Sequence, residues 1–154
     1  MKNVLSMLCF MFILCIQARA QDSTKQTIKT AIDAKHFVFQ PTIMTPVRGR
    51  AKHLDPGYFF KVSGDTLKVY LPYVGRAYSA PIDPSDAGFD FTSTSYNYAV
   101  TEGKKKSYDV TIKTNDKASN AEFYLTVYDN GSAYLRANSP DRESISYNGD
   151  VQEK

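Results

Sequence analysis

The stretch from Tyr58 to Leu71 constrains the fold more than any other part of this 154-residue chain. Tyr58, Phe60 and Val62 alternate with Phe59, Lys61 and Ser63. Beyond Gly64-Asp65, Leu67, Val69 and Leu71 alternate with Thr66, Lys68 and Tyr70. A period of two sends successive side chains to opposite faces of a strand. A two-residue loop at Gly64-Asp65 sets Val62 opposite Leu67, Phe60 opposite Val69 and Tyr58 opposite Leu71, so pattern and turn specify one register. Glycine at the first loop position supplies the positive φ that such a turn needs. Lys61 then faces Lys68 on the outer side, a mild repulsion.

Two more hairpins follow the same logic. One joins Tyr96–Val100 to Tyr108–Ile112 through Gly103 and the basic tip Lys104-Lys105-Lys106, which reads as a solvated turn. The other joins Glu122–Tyr128 to Ser132–Asn138 through Asp129-Asn130-Gly131. A two-residue Asn130-Gly131 loop would oppose Val127 to Tyr134 and split the faces. A three-residue loop with Gly131 in the left-handed region pairs Val127 with Ala133 and Leu125 with Leu135, which buries one consistent face. Tyr124 then lies across from Arg136 on the outside. Additional strands are expected at Phe37–Thr45, Gly88–Phe91 and Ser144–Tyr147, and the polar tail from Asp150 to Lys154 reads as frayed. Asp22 to Ala34 is the helical stretch: Ile28, Ala31, Ile32 and Lys35 recur at helical spacing, with Asp22 or Ser23 as the cap. The expected fold is mainly β. It is an antiparallel meander closed as a small barrel of about eight strands, with one N-terminal helix across it or plugging one end.

The first twenty residues have the three parts of a secretory signal. Lys2 is basic, Val4 to Ile16 is apolar except for Ser6, and Ala18-Arg19-Ala20 places small residues where a signal peptidase reads. The apolar run is too short for a bilayer span, which needs roughly 20 residues. Leu14 before Cys15 is too large for the usual lipoprotein signal. Residues 1–20 are therefore expected to be cleaved, leaving 21–35 as helix and linker and 36–151 as one β-domain without a transmembrane anchor. Both cysteines, Cys9 and Cys15, lie in the signal, so no disulfide or cysteine–metal site holds the remainder. Loss of Lys2 and Arg19 lowers the formal net charge from +3 to +1. A field that weak does not gather nucleic acid.

Leu71-Pro72-Tyr73-Val74-Gly75-Arg76-Ala77, with the Gly64-Asp65 hairpin before it and Gly131-Ser132-Ala133 and Ile145-Ser146-Tyr147-Asn148-Gly149 after it, resembles domain-of-unknown-function family 4251. These are small exported proteins of Gram-negative bacteria, and the resemblance runs from about His36 to Val151. It implies a lipocalin-like barrel topology and a periplasmic or envelope setting. It implies no activity, and no functional residues carry over.

No catalytic motif stands out. His36 and His53 are the two histidines, and no nucleophile elbow accompanies them. Metal-ligand spacing is missing, and Asp83, Asp86 and Asp90 fall among Pro81, Pro84 and Gly88 in what reads as an ordinary loop. No enzyme activity and no cofactor are expected. Two features remain. Pro72 ends a strand, Gly75 permits a tight turn and Arg76 presents a fork of donors beside Tyr73. This is either an anion clamp at a barrel mouth or a structural corner fastened by Arg76. The second feature is that Tyr58, Tyr96, Tyr98 and Tyr108 share the inward face with Phe60, Phe89, Phe91 and Phe123, where they either fill the barrel or line a cavity. The candidate ligand-binding residues are thus Tyr58, Tyr73, Arg76, Tyr96, Tyr98 and Tyr108. Two function classes follow: a binding module for a small apolar or amphipathic ligand, or an envelope protein-interaction domain that presents a strand edge or an outer aromatic face such as Phe59 and Tyr70.

Overall fold

The computed structural model describes residues 27–78, 88–104, 106–116 and 120–153. Helix α1 covers 27–33, and a turn follows in which Lys35, at φ 54°, leads the chain into the first strand. Ten strands follow: β1 (His36–Pro46), β2 (Lys52–His53), β3 (Phe59–Ser63), β4 (Thr66–Leu71), β5 (Phe89–Ser93), β6 (Tyr96–Glu102), β7 (Ser107–Thr114), β8 (Glu122–Tyr128), β9 (Ser132–Ser139) and β10 (Arg142–Glu153). Nine of them form one antiparallel path, β5-β4-β3-β1-β10-β9-β8-β7-β6, and β2 adds a short ladder on β1. The expected mainly-β meander with an N-terminal helix is what forms, with nine strands curled as a half-barrel.

The curl follows from chain connectivity. β5 and β6 lie at opposite ends of the path, yet only Thr94-Ser95 separate them. The sheet must bend until the end of β5 meets the start of β6. Ser93 Oγ donates to Ser95 O at 3.1 Å and accepts from Ser95 N–H at 3.2 Å, while Asn115 N–H donates to the same carbonyl at 2.9 Å. These bonds hold the corner without pairing the two edge strands.

The first and third hairpins have the registers read from the sequence, Val62 opposite Leu67 and Leu125 opposite Leu135; the second, for which the sequence set no register, places Val100 opposite Val110. Gly131 sits at φ 89°, and Lys61 faces Lys68. The inward face is packed with rings. Phe60 and Phe123 stand 5.0 Å apart, Phe89 and Phe123 5.7 Å, and Phe91 and Phe123 6.2 Å. Ile28, Ala31 and Ile32 of α1 join this core fully buried, so the thin stripe seats the helix inside one end of the half-barrel.

Two expectations need correction. Tyr58 leaves the alternation. Gly57 at φ 125° redirects the chain before β3, and the Tyr58 ring stacks on exposed Tyr70 at 5.3 Å, on the outer side. The tail does not fray at Asp150: β10 runs to Glu153, Val151 is buried opposite Phe39, and Val151 N–H donates to Gly131 O at 2.8 Å. Strand pairing with β1 supplies burial that the tail's polar sequence does not advertise. Gly149 is required beside it, because a Cβ there would overlap the Gln40 carbonyl oxygen. The caps at Asp22 and Ser23, the signal segment, Asp83, Asp86 and Lys105 lie outside the described residues.

Candidate functional site

Pro72 ends β4, and residues 72–78 cross as a strap to the start of β10. Tyr147 Oη donates to Pro72 O at 2.7 Å, and Tyr73 Oη donates to Arg76 O at 2.9 Å. Glu143 N–H donates to the same Arg76 carbonyl at 3.0 Å, Tyr78 N–H donates to Asp141 O at 2.6 Å, and Ala77 bridges Arg142 antiparallel. Arg142 fastens the junction. Its Nη1 donates to Gly88 O at 3.0 Å, its Nη2 to Asp141 Oδ2 at 2.9 Å, and its guanidinium lies 5.1 Å from the Tyr73 ring and 4.9 Å from Phe89. Guanidinium planes suit stacking on rings and forked donation to carboxylates. The Arg142 hydrogen bond holds the Asp141 carboxyl below the usual carboxylate range, and burial pushes the Tyr147 hydroxyl up.

The corner is thus structural, but its arginine is Arg142. Arg76 is exposed and contributes its backbone carbonyl. Nothing in the local sequence distinguishes Arg142, because its partners at Tyr73, Gly88 and Phe89 lie more than fifty residues away.

The tyrosine candidates do not converge on one site. Tyr96 Oη donates to Gly64 O, and Tyr98 Oη donates to Ile32 O at 2.8 Å, with Lys35 5.2 Å from its ring. Tyr108 is buried under the Lys29 ammonium at 5.7 Å. These three brace α1 and the β3–β4 turn, and burial raises the hydroxyl pKa of Tyr96 and Tyr98. Tyr73 belongs to the corner and Tyr58 to the outer face.

An open groove lies instead on the outside, where sequence reasoning marked nothing. Between Arg142 and Ile145 the β10 ladder slips by one residue against β9, a bulge at Glu143-Ser144. Bulges bend a strand and re-aim its side chains. Beside it, Thr45, Pro46, Val47, Tyr134, Arg136, Ser144, Ile145 and Ser146 enclose about 240 Å³. Ser146 Oγ donates to Thr45 O at 3.2 Å, which closes one wall. Arg136 has no carboxylate within 4 Å among the described residues, and Glu122, diagonal to it on β8, is engaged by Lys113 at 2.7 Å and by Tyr124 Oη at 2.9 Å. The exposed loop after β1 carries Arg48 and Arg50, exposed Lys52 opens β2 beyond it, and Arg48 Nε stands 3.9 Å from Glu143. The signal for this site was in the sequence: no acid occurs between Asp33 and Asp55. Among the described residues no three His, Cys, Asp or Glu gather as a metal site, and Asp90 is exposed on β5.

The profile of a family described as "Domain of unknown function (DUF4251)" matches residues 19–151. The chain belongs to the DUF4251 family. Its fold is similar to that of a DUF4251 family protein from Bacteroides eggerthii DSM 20697, with a TM-score of 0.63 over 85% of this chain and 88% of the other, at 12% identity. Identity that low shows the shared fold alone. No curated protein matches the chain in sequence. Within this DUF4251 domain, the Leu71–Ala77 and Ile145–Gly149 stretches that carry the resemblance meet at the Arg142 corner.

Proposed function

We propose that this DUF4251 domain is an exported envelope protein of a Gram-negative bacterium that works as a non-catalytic protein-interaction module. The observation that carries this reading is the distribution of aromatic rings. The inward rings pack on one another around Phe123, while Tyr124, Tyr128 and Tyr134 stand exposed on the outer face of β8 and β9. Aromatic side chains projecting from a sheet supply large contact area with little conformational freedom to lose, and they are enriched at interfaces. That packing favours an interaction face over a ligand held within the barrel. A non-catalytic role is supported by the polar corner groups, since Arg142, Asp141, Tyr73 and Tyr147 bond to one another and to backbone. Export is supported by Lys2, the apolar run to Ile16 and Ala18-Arg19-Ala20.

Native mass spectrometry of the protein purified from its own envelope tests the reading. The expected result is a stoichiometric protein companion that is lost in a Tyr124→Ser/Tyr134→Ser variant. A companion of small-molecule mass, or none, would overturn it.

A further inference from the structure

The geometry points to the outer groove and its basic loop as the docking site for an acidic segment of a partner protein. An apolar side chain of that segment sits between Val47 and Tyr134, and a flanking carboxylate sits on Arg136. This rests on the interaction reading above and names the chemistry of the partner.

Size favours a protein segment. At about 240 Å³ the groove falls below the roughly 300–1,000 Å³ of sites that engulf small ligands. It is open along one side, and its volume suits one anchor residue of a larger partner, the usual form of an interface hot spot. Its walls are mixed in the way such an anchor needs. Val47, 62% exposed, and Tyr134 at the rim supply its accessible apolar surface, and Pro46 and Ile145 are buried beneath it.

Charge selects the sign of the partner. Arg136 lines the groove without an acid partner among the described residues, and exposed Arg48 and Arg50 follow Val47 on the loop, with exposed Lys52 at the start of β2. Glu143 meets this rim only at 3.9 Å from Arg48. Guanidinium groups bind carboxylates by donating forked, charge-assisted hydrogen bonds. The hydroxyls of Ser144, Ser146 and Thr45 add further polar partners along the floor. An anionic lipid surface would use the loop but not the concave pocket beside Arg136, so an acidic peptide uses more of what is present.

The probe is a capped hexapeptide, Glu-Asp-Leu-Phe-Glu-Asp, titrated into the isotope-labelled protein and followed by amide NMR. Its control is the same peptide with Gln and Asn in place of the acids. Shifts concentrated at Val47, Arg136, Ile145 and Ser146 are expected, with the control about tenfold or more weaker. Arg136→Gln should weaken binding by a similar factor, Arg136→Lys should retain most of it, and binding should fall as salt rises. No shifts at these residues at about 1 mM peptide, equal binding of the neutral control, or binding of anionic vesicles in place of the peptide would overturn the inference. An envelope companion that persists in Arg136→Gln would sink the groove assignment and leave the interaction reading standing. Absence of any companion would sink the interaction reading whatever the peptide does.

Discussion

Arg142 joins parts of the chain that are far apart in sequence, and its side chain is 16% exposed. Removing it strands the Gly88 carbonyl and the Asp141 carboxylate and strips a cation from two rings. Arg142→Ala should therefore cost about 2–4 kcal/mol in urea unfolding. Arg76→Ala, at an exposed side chain, should stay within about 0.5 kcal/mol of wild type. Equal losses would return the clamp to Arg76. Because Asp141 is depressed mainly by its bond to Arg142, its contribution is present above the ordinary carboxylate range and is lost as pH falls through its folded value. The stability gap between wild type and Arg142→Ala should narrow below about pH 4. A gap independent of pH would mean that the ion pair contributes nothing.

At the level of strands, β8 separates packing from surface within two residues. Leu125 is buried opposite Leu135, whereas Thr126 faces outward and donates to Asp109 Oδ1 at 2.7 Å. Leu125→Ala should cost about 2–5 kcal/mol, mostly through the cavity it leaves. Thr126→Ala should cost about 1 kcal/mol, the usual net value of one hydrogen bond. β10 makes a second contrast. Ending the chain at Gly149 deletes the pairing of Gln152 and Glu153 with Val38 and Phe37 and uncovers the site of Val151. A loss of about 3 kcal/mol is expected from one buried valine and its ladder bonds. An unchanged urea midpoint in the truncated chain would show that the tail is dispensable.

Across the whole molecule, tyrosine hydroxyls tie distant elements together. Tyr147 links β10 to the strap, Tyr98 links β6 to α1, and Tyr96 links β6 to the β3–β4 turn. Burial raises the pKa of all three above the ordinary tyrosine value. A group with a raised folded pKa contributes stability that is complete below its unfolded value and lost as pH rises through the folded one. Stability should be flat to about pH 10 and then fall, and Tyr147→Phe should flatten part of that alkaline fall. Circular dichroism across the alkaline range would check this, and a steep loss near neutrality would contradict it.

What the sequence determined by itself was local. Alternation of period two together with the Gly64-Asp65 and Gly131 turns set two hairpin registers, because each one-residue slip would have exposed an entire apolar face. The strand end at Pro72 came from its missing donor, and the family resemblance came from short stretches that lie together at one corner. The tertiary structure decided what depends on residues distant along the chain. It chose Arg142 over Arg76, because only Arg142 is brought between Tyr73, Phe89 and Gly88. It extended β10 through Glu153, because β1 offers backbone partners more than a hundred residues away. It turned Tyr58 outward at Gly57, and it set Arg136, without an acid partner among the described residues, beside the basic loop after β1, two features that share a groove only once β1 and β9 flank β10.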